Sequence, residues 1–201
     1  MSSIHKQIRI VSVLRKGTRR NLRNVSAAKR GESNFVLAFG RAYLRRFGKA
    51  NGQTRFLPAR EFQVSGFGVA DFIWFVWRSA PRSQEGSALE YRSRFRHGES
   101  LLAFEMKLRD WRKALGQAYR YRYFADAAYV VLPPDAASTA KQHLEVFEKL
   151  GVGLWSFDKS NEAIRQIYSP PRKTPLSSKA RERAVAALDR LIKAPQAPGK
   201  V

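Results

Sequence analysis

The apolar positions of the chain follow two different periods, and the way these periods alternate predicts an α/β fold. From Phe35 to Phe47 an apolar residue recurs every three or four positions, which is typical of an amphipathic helix with Ser33 or Asn34 as its N-cap. Further along, short apolar runs bounded by glycine and proline indicate strands. The pattern predicts strands over residues 56–64, 69–77, 101–108, 128–132 and 152–157, and helices over residues 35–47, 110–125, 136–150 and 178–193. This order of elements predicts a mixed sheet flanked by helices.

Glycine and proline residues place the breaks between these elements. Pro58 cannot donate a ladder hydrogen bond, so the first strand lies at a sheet edge or Pro58 falls among its first residues. Gly66 and Gly68 provide the turn into the second strand, and Gly151 closes the helix that precedes the last strand. Residues 79–99 are polar and basic, and a connection of this length is usually functional or disordered.

Composition divides the chain into three segments. Residues 1–31 form a basic N-terminal arm, since the first 30 residues contain nine lysines or arginines and no acidic residue. Residues 32–158 contain every predicted strand and form the expected core domain. Residues 159–201 lack strand signals, and we expect a linker followed by a basic C-terminal helix and tail.

The net charge indicates the kind of partner. The 201 residues include 38 Lys and Arg against 16 Asp and Glu, which gives a formal net charge of +22. Such an imbalance is typical of proteins that bind a polyanion, most often a nucleic acid. No run approaches the ~20 apolar residues of a membrane span, and the N-terminus lacks the apolar core of a secretion signal. We therefore expect a nucleic-acid partner, no membrane insertion and a cytoplasmic location.

The few cysteine and histidine residues limit the chemistry. With no cysteine, the chain has no disulfide, no thiolate zinc site, no Fe–S cluster and no cysteine nucleophile. Its three histidines, His5, His97 and His143, are not spaced as a pair of metal ligands. Any metal must therefore be held mainly by oxygen atoms, which suits Mg²⁺ or Mn²⁺.

Charged residues on two otherwise apolar strands form the most informative pattern. In the third strand, alternation places Glu105 and Lys107 on one face with Ala103, and the second strand carries Asp71 as its only charge within residues 69–77. Burying such groups is costly unless they are paired or bind something. Two carboxylates can ligate a hard divalent cation, and a nearby ammonium can orient or deprotonate a water molecule. A plain cross-strand pair between Glu105 and Lys107 is the alternative.

The helix after the third strand adds polar residues to the same region. Lys113, Gln117 and Tyr121 follow one another in steps of four and therefore share one helical face. A helix packed beside the Glu105 strand could direct that face toward the carboxylates. Ordinary surface and core roles for Gln117 and Tyr121 stay open at this point.

Taken together, these residues resemble a known signature. Asp71, Glu105-Met106-Lys107, Gln117 and Tyr121 follow the pattern D … ExK … QxxxY of the PD-(D/E)XK nuclease superfamily, in its RecB-like branch. The predicted elements are also similar to its restriction-endonuclease-like core, α-β-β-β-α-β, with an extra helix and strand. The resemblance covers roughly residues 32–158 and leaves both basic ends outside. The chain departs from the motif at one position, where Ala70 replaces the proline.

The resemblance implies roles for the strand residues of the signature. Asp71 and Glu105 would be the metal ligands, assisted by the backbone carbonyl of Met106, and Mg²⁺ or Mn²⁺ would be the cofactor. Lys107 would position or activate the attacking water and stabilise charge on the phosphate.

The resemblance also implies roles for residues on the helices. Gln117 and Tyr121 would help to place the DNA strand or steady the metal shell. Such families often add an acidic residue from the first helix as a further metal ligand, and Glu32 lies at its predicted start. Glu61 on the first strand competes for this role, and a first-turn carboxylate favoured by the helix dipole is the alternative for Glu32.

The resemblance implies a divalent-metal-dependent DNA nuclease that hydrolyses phosphodiester bonds and leaves a 5′-phosphate and a 3′-hydroxyl. The alternative is a DNA-binding module of a repair, defence or mobile-element complex with weak or no cleavage. An RNA-associated basic protein would explain the charge but not the carboxylates. The size of the chain is compatible with action as a homodimer or within a larger protein complex. Basic residues expected to contact DNA phosphates are Lys113, Arg120, Arg19, Arg20, Arg181 and Arg183.

Overall fold

The structure, a computed structural model, describes residues 10–12, 27–49, 54–78 and 99–193. Its strands are β1 (Val11–Ser12), β2 (Thr54–Val64), β3 (Gly68–Arg78), β4 (Ser100–Met106), β5 (Ala127–Leu132), β6 (Gly153–Asp158) and β7 (Ala163–Tyr168). Its helices are α1 (Ala27–Phe47), α2 (Trp111–Tyr121), α3 (Pro134–Lys141), α4 (Leu144–Leu150) and α5 (Ser178–Lys193).

Within these ranges the strands form one mixed sheet in the order β1-β2-β3-β4-β5-β6-β7. Strands β2, β3 and β4 form an antiparallel meander, whereas β4, β5 and β6 run parallel to one another. The parallel pairs need crossover connections, which α2 provides between β4 and β5, and α3 with α4 provides between β5 and β6. The predicted α/β fold with a mixed sheet flanked by helices is confirmed.

Two clusters of buried residues cover the two faces of the sheet. On the face that we call the α1 face, the ring of Phe39 is fully buried and lies 5.5–5.9 Å from the rings of Phe72, Phe104 and Phe157. Helices α2 to α5 pack on the opposite face, which we call the α2 face. Both faces are therefore closed by helices, and functional groups are accessible at the strand ends.

The strand assignments agree closely with the predicted alternation. Leu102, Phe104 and Met106 of β4 point to the α1 face, whereas Leu101 and Ala103 point to the α2 face. The sequence predicts the same division of side chains between the two faces of the strand that carries Glu105. The strand ends at Met106 instead of residue 108, so Lys107 lies just beyond it.

Pro58 lies inside β2, near the edge of the sheet. The outer neighbour of β2 is β1, whose pairing is with Ala59 and Arg60. The predicted edge position is therefore wrong, since β2 has a neighbour on both sides and Pro58 is the fifth of its 11 residues; the two pairs with β1 do not include Pro58.

The boundaries of α1, α3 and α4 differ from the prediction. Helix α1 begins at Ala27, so Ser33 and Asn34 lie inside it and do not cap it. The single helix predicted over residues 136–150 is divided into α3 and α4, and His143 between them stacks on Trp111, with ring centroids 5.0 Å apart. This stacking joins α4 to α2, a long-range contact that a local pattern does not contain.

The prediction that strand signals end at Asp158 is wrong. Strand β7 pairs antiparallel with β6, and the register shifts between Leu154 and Trp155. Its apolar signal is weak because Ile164 is the one buried residue of this edge strand. The predicted C-terminal helix α5 also packs into the core through its buried residues Ala180, Ala184 and Leu188. The sheet and the core thus continue past the expected boundary at residue 158.

The cap of α2 is confirmed. The side chain of Asp110 accepts a 3.0 Å hydrogen bond from the backbone N–H of Lys113, and α2 ends at Tyr121, four residues before its predicted end. Of the predicted excursion over residues 79–99, only Glu99 is among the described residues, and Arg19 and Arg20 lie outside them. No helix in the described ranges has the length and apolar character needed to cross a membrane.

Candidate active site

The candidate site lies where the pairing between β3 and β4 ends. The last paired residues are Phe72 and Phe104, and the next positions on these two strands are Asp71 and Glu105. At this point the Asp71 side chain makes the contact between the strands, since its Oδ2 accepts a 2.8 Å hydrogen bond from the backbone N–H of Met106. The bond fixes Asp71 against β4, beside Glu105.

Glu105 is buried among polar partners from three elements. Its side chain is 1% exposed, and its Oε2 lies 2.5 Å from the hydroxyl of Tyr121 on α2. Its Oε1 lies 3.0 Å from Nζ of Lys107. The Tyr121 hydroxyl also lies 2.6 Å from the backbone carbonyl of Val69 on β3. Tyr121 therefore ties α2 to the two strands that carry the carboxylates.

Burial and Tyr121 act on the pKa of Glu105 in opposite directions. A phenol has one proton, and the Tyr121 hydroxyl faces two acceptors, the Glu105 carboxylate and the Val69 carbonyl. The contact of the Tyr121 O–H with Glu105 Oε2 stabilises the carboxylate and lowers its pKa. Burial and, after it, the charge of Asp71 raise the pKa of Glu105, Lys107 and Tyr121 lower it, and the net pKa is about 7.

Burial also perturbs the two other charged groups. Burial is the main cause of the raised pKa of Asp71, and the hydrogen bond from Met106 and the charge of Lys107 oppose it. Burial lowers the pKa of Lys107, but the negative charges of Glu105 and Asp71 outweigh it, so its net pKa is raised. Two close carboxylates and one ammonium thus share a mostly buried space, a combination that is concentrated at functional sites.

Glu32 lies beside Lys107. Its Oε2 is 3.8 Å from Lys107 Nζ, and its side chain is 37% exposed. Within the described part of the chain, no three Asp, Glu or His side chains are grouped so that they could hold a metal ion. The expected role of Glu32 as a third protein ligand is therefore not supported, because its carboxylate pairs with the ammonium.

The carboxylate oxygens of Asp71 and Glu105 are of the kind that a hard divalent cation prefers. Asp71 and Glu105 supply two carboxylates from adjacent strands, and oxygen donors are those that Mg²⁺ and Mn²⁺ prefer. Gln117 lies one helical turn before Tyr121, and its Oε1 is buried without a hydrogen-bond partner among the described residues. A buried amide oxygen in this state is unfavourable, and a bound cation or its water would satisfy it.

The basic residues predicted to contact DNA fall into two groups. Lys113 and Arg120 are exposed on α2, and Arg183 is exposed while it donates to the Ser65 carbonyl at 3.4 Å. Arg181 differs, because its guanidinium is within 3.2 Å of all its internal partners: the Glu99 carboxylate, the Asp126 carboxylate and the Phe124 carbonyl. Arg181 therefore joins α5 to the core, and its expected phosphate contact stays a prediction.

The raised pKa of Glu105 gives a pH dependence that can be measured. A ligand carboxylate must lose its proton, so Mn²⁺ affinity should rise about tenfold between pH 6 and pH 8 if Glu105 titrates near 7. In the metal-free protein the raised pKa stabilises the fold fully below about pH 4.5, and this contribution is lost as pH rises through 7. Isothermal titration with Mn²⁺ and urea unfolding across this range measure the two effects.

The Glu105→Gln variant is the control for both measurements. It should lose Mn²⁺ binding, and its stability should lack the decrease between pH 4.5 and 7 because the titrating group is gone. A wild-type affinity that is constant from pH 6 to 8 contradicts the assignment of Glu105 as a ligand.

The structure thus brings Asp71, Glu105, Lys107 and Tyr121 together, with Glu32 beside Lys107. Sequence reasoning missed the carbonyl of Val69, because a backbone acceptor is present at every residue and has no signal in the sequence. It also missed the pairing of Glu32 with Lys107. Comparison with protein-family models and with curated proteins finds no matching family and no matching protein.

Proposed function

We propose that this protein is a divalent-metal-dependent DNA nuclease with a restriction-endonuclease-like fold. The observation that carries the proposal is the convergence of Asp71, Glu105 and Lys107 at the end of the β3–β4 pairing, although Asp71 and Glu105 are 34 positions apart in the sequence. A buried pair of carboxylates beside an ammonium is costly for stability alone. Phosphodiester hydrolysis explains all three groups.

The chain's own residues have distinct tasks in this reaction. When bound, a divalent cation supplies Lewis acidity and lowers the pKa of a water molecule, and Asp71 and Glu105 are the residues that would hold it. Lys107 is placed to orient the attacking water and to stabilise negative charge that develops on the phosphate. Tyr121 holds Glu105 in its orientation through the hydroxyl contact at 2.5 Å. Gln117 offers its buried amide oxygen to a water or a cation.

Charge supports DNA as the substrate. The net charge of +22 favours a polyanion, and Lys113 and Arg120 are exposed on α2, the helix that also carries Gln117 and Tyr121. Contacts of such residues with phosphates position a strand without reading its sequence. We therefore propose that DNA binds along the exposed surface of α2.

Removing the charge of Lys113 and removing the charge of Arg181 should have different effects on DNA binding and on stability. Lys113→Gln should weaken DNA binding and reduce the slope of log affinity against log salt by about one, because one phosphate contact is lost. Arg181→Gln should leave this slope unchanged and lower thermal stability, because it removes the partner of Glu99 and Asp126. Fluorescence anisotropy across a salt series and a thermal melt test this. Equal slopes for wild type and Lys113→Gln contradict the DNA surface.

The second candidate is a DNA-binding module with the same fold and weak or no cleavage. One observation favours it: no three-ligand metal group is present among the described residues. A nuclease and a DNA-binding module would have the same net charge and the same fold, so measurements of DNA binding do not distinguish the two functions. Only a direct assay of phosphodiester cleavage does.

The test is incubation of supercoiled plasmid, linear duplex and single-stranded DNA with Mg²⁺ or Mn²⁺. We expect metal-dependent cleavage, and nicks that a DNA ligase can seal because they carry a 5′-phosphate and a 3′-hydroxyl. Cleavage that persists in both Asp71→Asn and Lys107→Met identifies a contaminant or another site. Absence of cleavage on every substrate, with DNA binding retained, overturns the nuclease and favours the binding module.

A further inference from the structure

The strands β2 and β3 interrupt their side-chain alternation at the same level of the sheet. In β2 the residues on the α2 face include Ala59 and then Phe62, three positions apart instead of two. In β3 the residues on this face include Ile73 and then Ala70, again three positions apart. The two interruptions lie opposite one another, because Ala59 pairs with Ile73 and Phe62 pairs with Ala70.

The backbone of Glu61 accounts for the interruption in β2. Glu61 has φ of +56°, in the left-handed region that non-glycine residues rarely adopt, and it lies in the middle of a strand. The pairs on either side of it are Arg60 with Phe72 and Phe62 with Ala70. Glu61 is therefore opposite Asp71, and each is the extra residue of its strand.

The consequence for the site is that Asp71 leaves the regular alternation. A residue in a regular strand directs its side chain to one face or the other. The Asp71 carboxylate instead reaches the backbone N–H of Met106 on the neighbouring strand, at 2.8 Å. Unusual backbone conformations of this kind persist where surrounding structure enforces them, and they cluster at functional sites.

We propose that Glu61 is a positioning residue, whose left-handed backbone turns Asp71 toward Glu105 and thereby sets the geometry of the cation site. This inference rests on the proposed function, because it assigns a role toward the same site. The role proposed here belongs to the backbone conformation of Glu61, while the charge of its carboxylate acts separately by repelling Asp71. Residues that tolerate positive φ should therefore preserve the site, and a β-branched residue should damage it.

Four substitutions at this position separate the backbone from the charge. Glu61→Gly removes the carboxylate and favours positive φ, and Glu61→Gln removes the charge and keeps an unbranched side chain. We expect both to bind Mn²⁺ within about threefold of wild type. Glu61→Val opposes positive φ and should lower Mn²⁺ affinity at least about tenfold, and Glu61→Ala, a milder change, should lower it less.

Glu162 provides a control for the backbone conformation, although its carboxylate also pairs with Arg45. This glutamate has φ of +57°, and it lies in the turn before β7, away from the β3–β4 pairing. Glu162→Val should lower the melting temperature by about 2–4 °C, as Glu61→Val does, while its Mn²⁺ affinity stays at the wild-type value. A general loss of stability would affect both variants alike, so a difference in Mn²⁺ affinity isolates the positioning role.

Isothermal titration with Mn²⁺ and thermal melts of the metal-free variants decide the outcome. Retained affinity in Glu61→Gly with reduced affinity in Glu61→Val or Glu61→Ala supports the inference. If all variants at residue 61 bind like wild type, or if Gly and Gln lose as much affinity as Val, the positioning role is overturned. A wild-type protein that binds no Mn²⁺ overturns the proposed function itself, together with this inference.

Discussion

Lys107→Met is expected to lower the rate of DNA cleavage by about 100- to 1,000-fold, the effect of removing one preorganised group that stabilises transition-state charge. The Lys107 ammonium lies 3.0 Å from Glu105 and 3.8 Å from Glu32, so its position is fixed before substrate arrives. Methionine keeps the length of the side chain and removes the charge. Single-turnover cleavage of a labelled duplex measures the loss.

The same variant should retain Mn²⁺ binding at pH 8.5. Lys107 is not a ligand in this account, and its ammonium competes with a cation for Glu105. Lys149→Met is the matched control, because Lys149 is exposed at the end of α4, by the opposite end of the parallel strands. We expect wild-type cleavage in the control. Wild-type cleavage by Lys107→Met, or loss of both Mn²⁺ binding and cleavage, contradicts the role of Lys107.

Asp71→Asn is expected to lower Mn²⁺ affinity by about 100-fold or more and to abolish cleavage, while the fold becomes no less stable. The asparagine carbonyl can still accept the hydrogen bond from Met106. Its neutral side chain removes repulsion with Glu105 and Glu61, so the free energy of unfolding should rise by up to about 1 kcal/mol. Because burial raises the pKa of Asp71, this gain should be present at pH 8 and disappear in acid.

Asp71→Ala separates the charge from the hydrogen bond. Alanine leaves the Met106 N–H without its acceptor, which costs about 1–3 kcal/mol. The exposed Asp135 on α3 is the control position, and Asp135→Asn should change neither metal affinity nor cleavage. Urea unfolding of the metal-free proteins gives the stabilities. If Asp71→Asn is as unstable as Asp71→Ala, the side chain is a structural group and not one held in place for a ligand.

The main part of the fold was predictable because its signals are local. The period of two in residues 101–106 separates Ala103 and Glu105 from Leu102, Phe104 and Met106, and the sheet has these residues on opposite faces as expected. Asp71 was recognisable because it is the single charge on an apolar strand. Burying a single charge on such a strand is costly unless the charge is paired or binds a ligand. The pattern itself therefore indicated a site.

The unpredicted features depend on contacts between distant parts of the chain. Helix α3 ends before His143, whose ring stacks on Trp111 more than 30 positions earlier. Strand β7 has one buried residue, Ile164, so pairing with β6 defines it more than its own periodicity does. Arg181 appears in the sequence as one more exposed cation, and only the fold shows that Glu99 and Asp126 surround it.

The most direct test of the account is the anomalous diffraction signal of crystals soaked in Mn²⁺. We expect one strong peak between the carboxylates of Asp71 and Glu105, within about 2.0–2.3 Å of an oxygen of each, and no such peak in crystals of Asp71→Asn. Two results would contradict the metal site on which the proposed nuclease depends. One is a peak elsewhere with no cation bound at Asp71 and Glu105, and the other is no peak at saturating Mn²⁺.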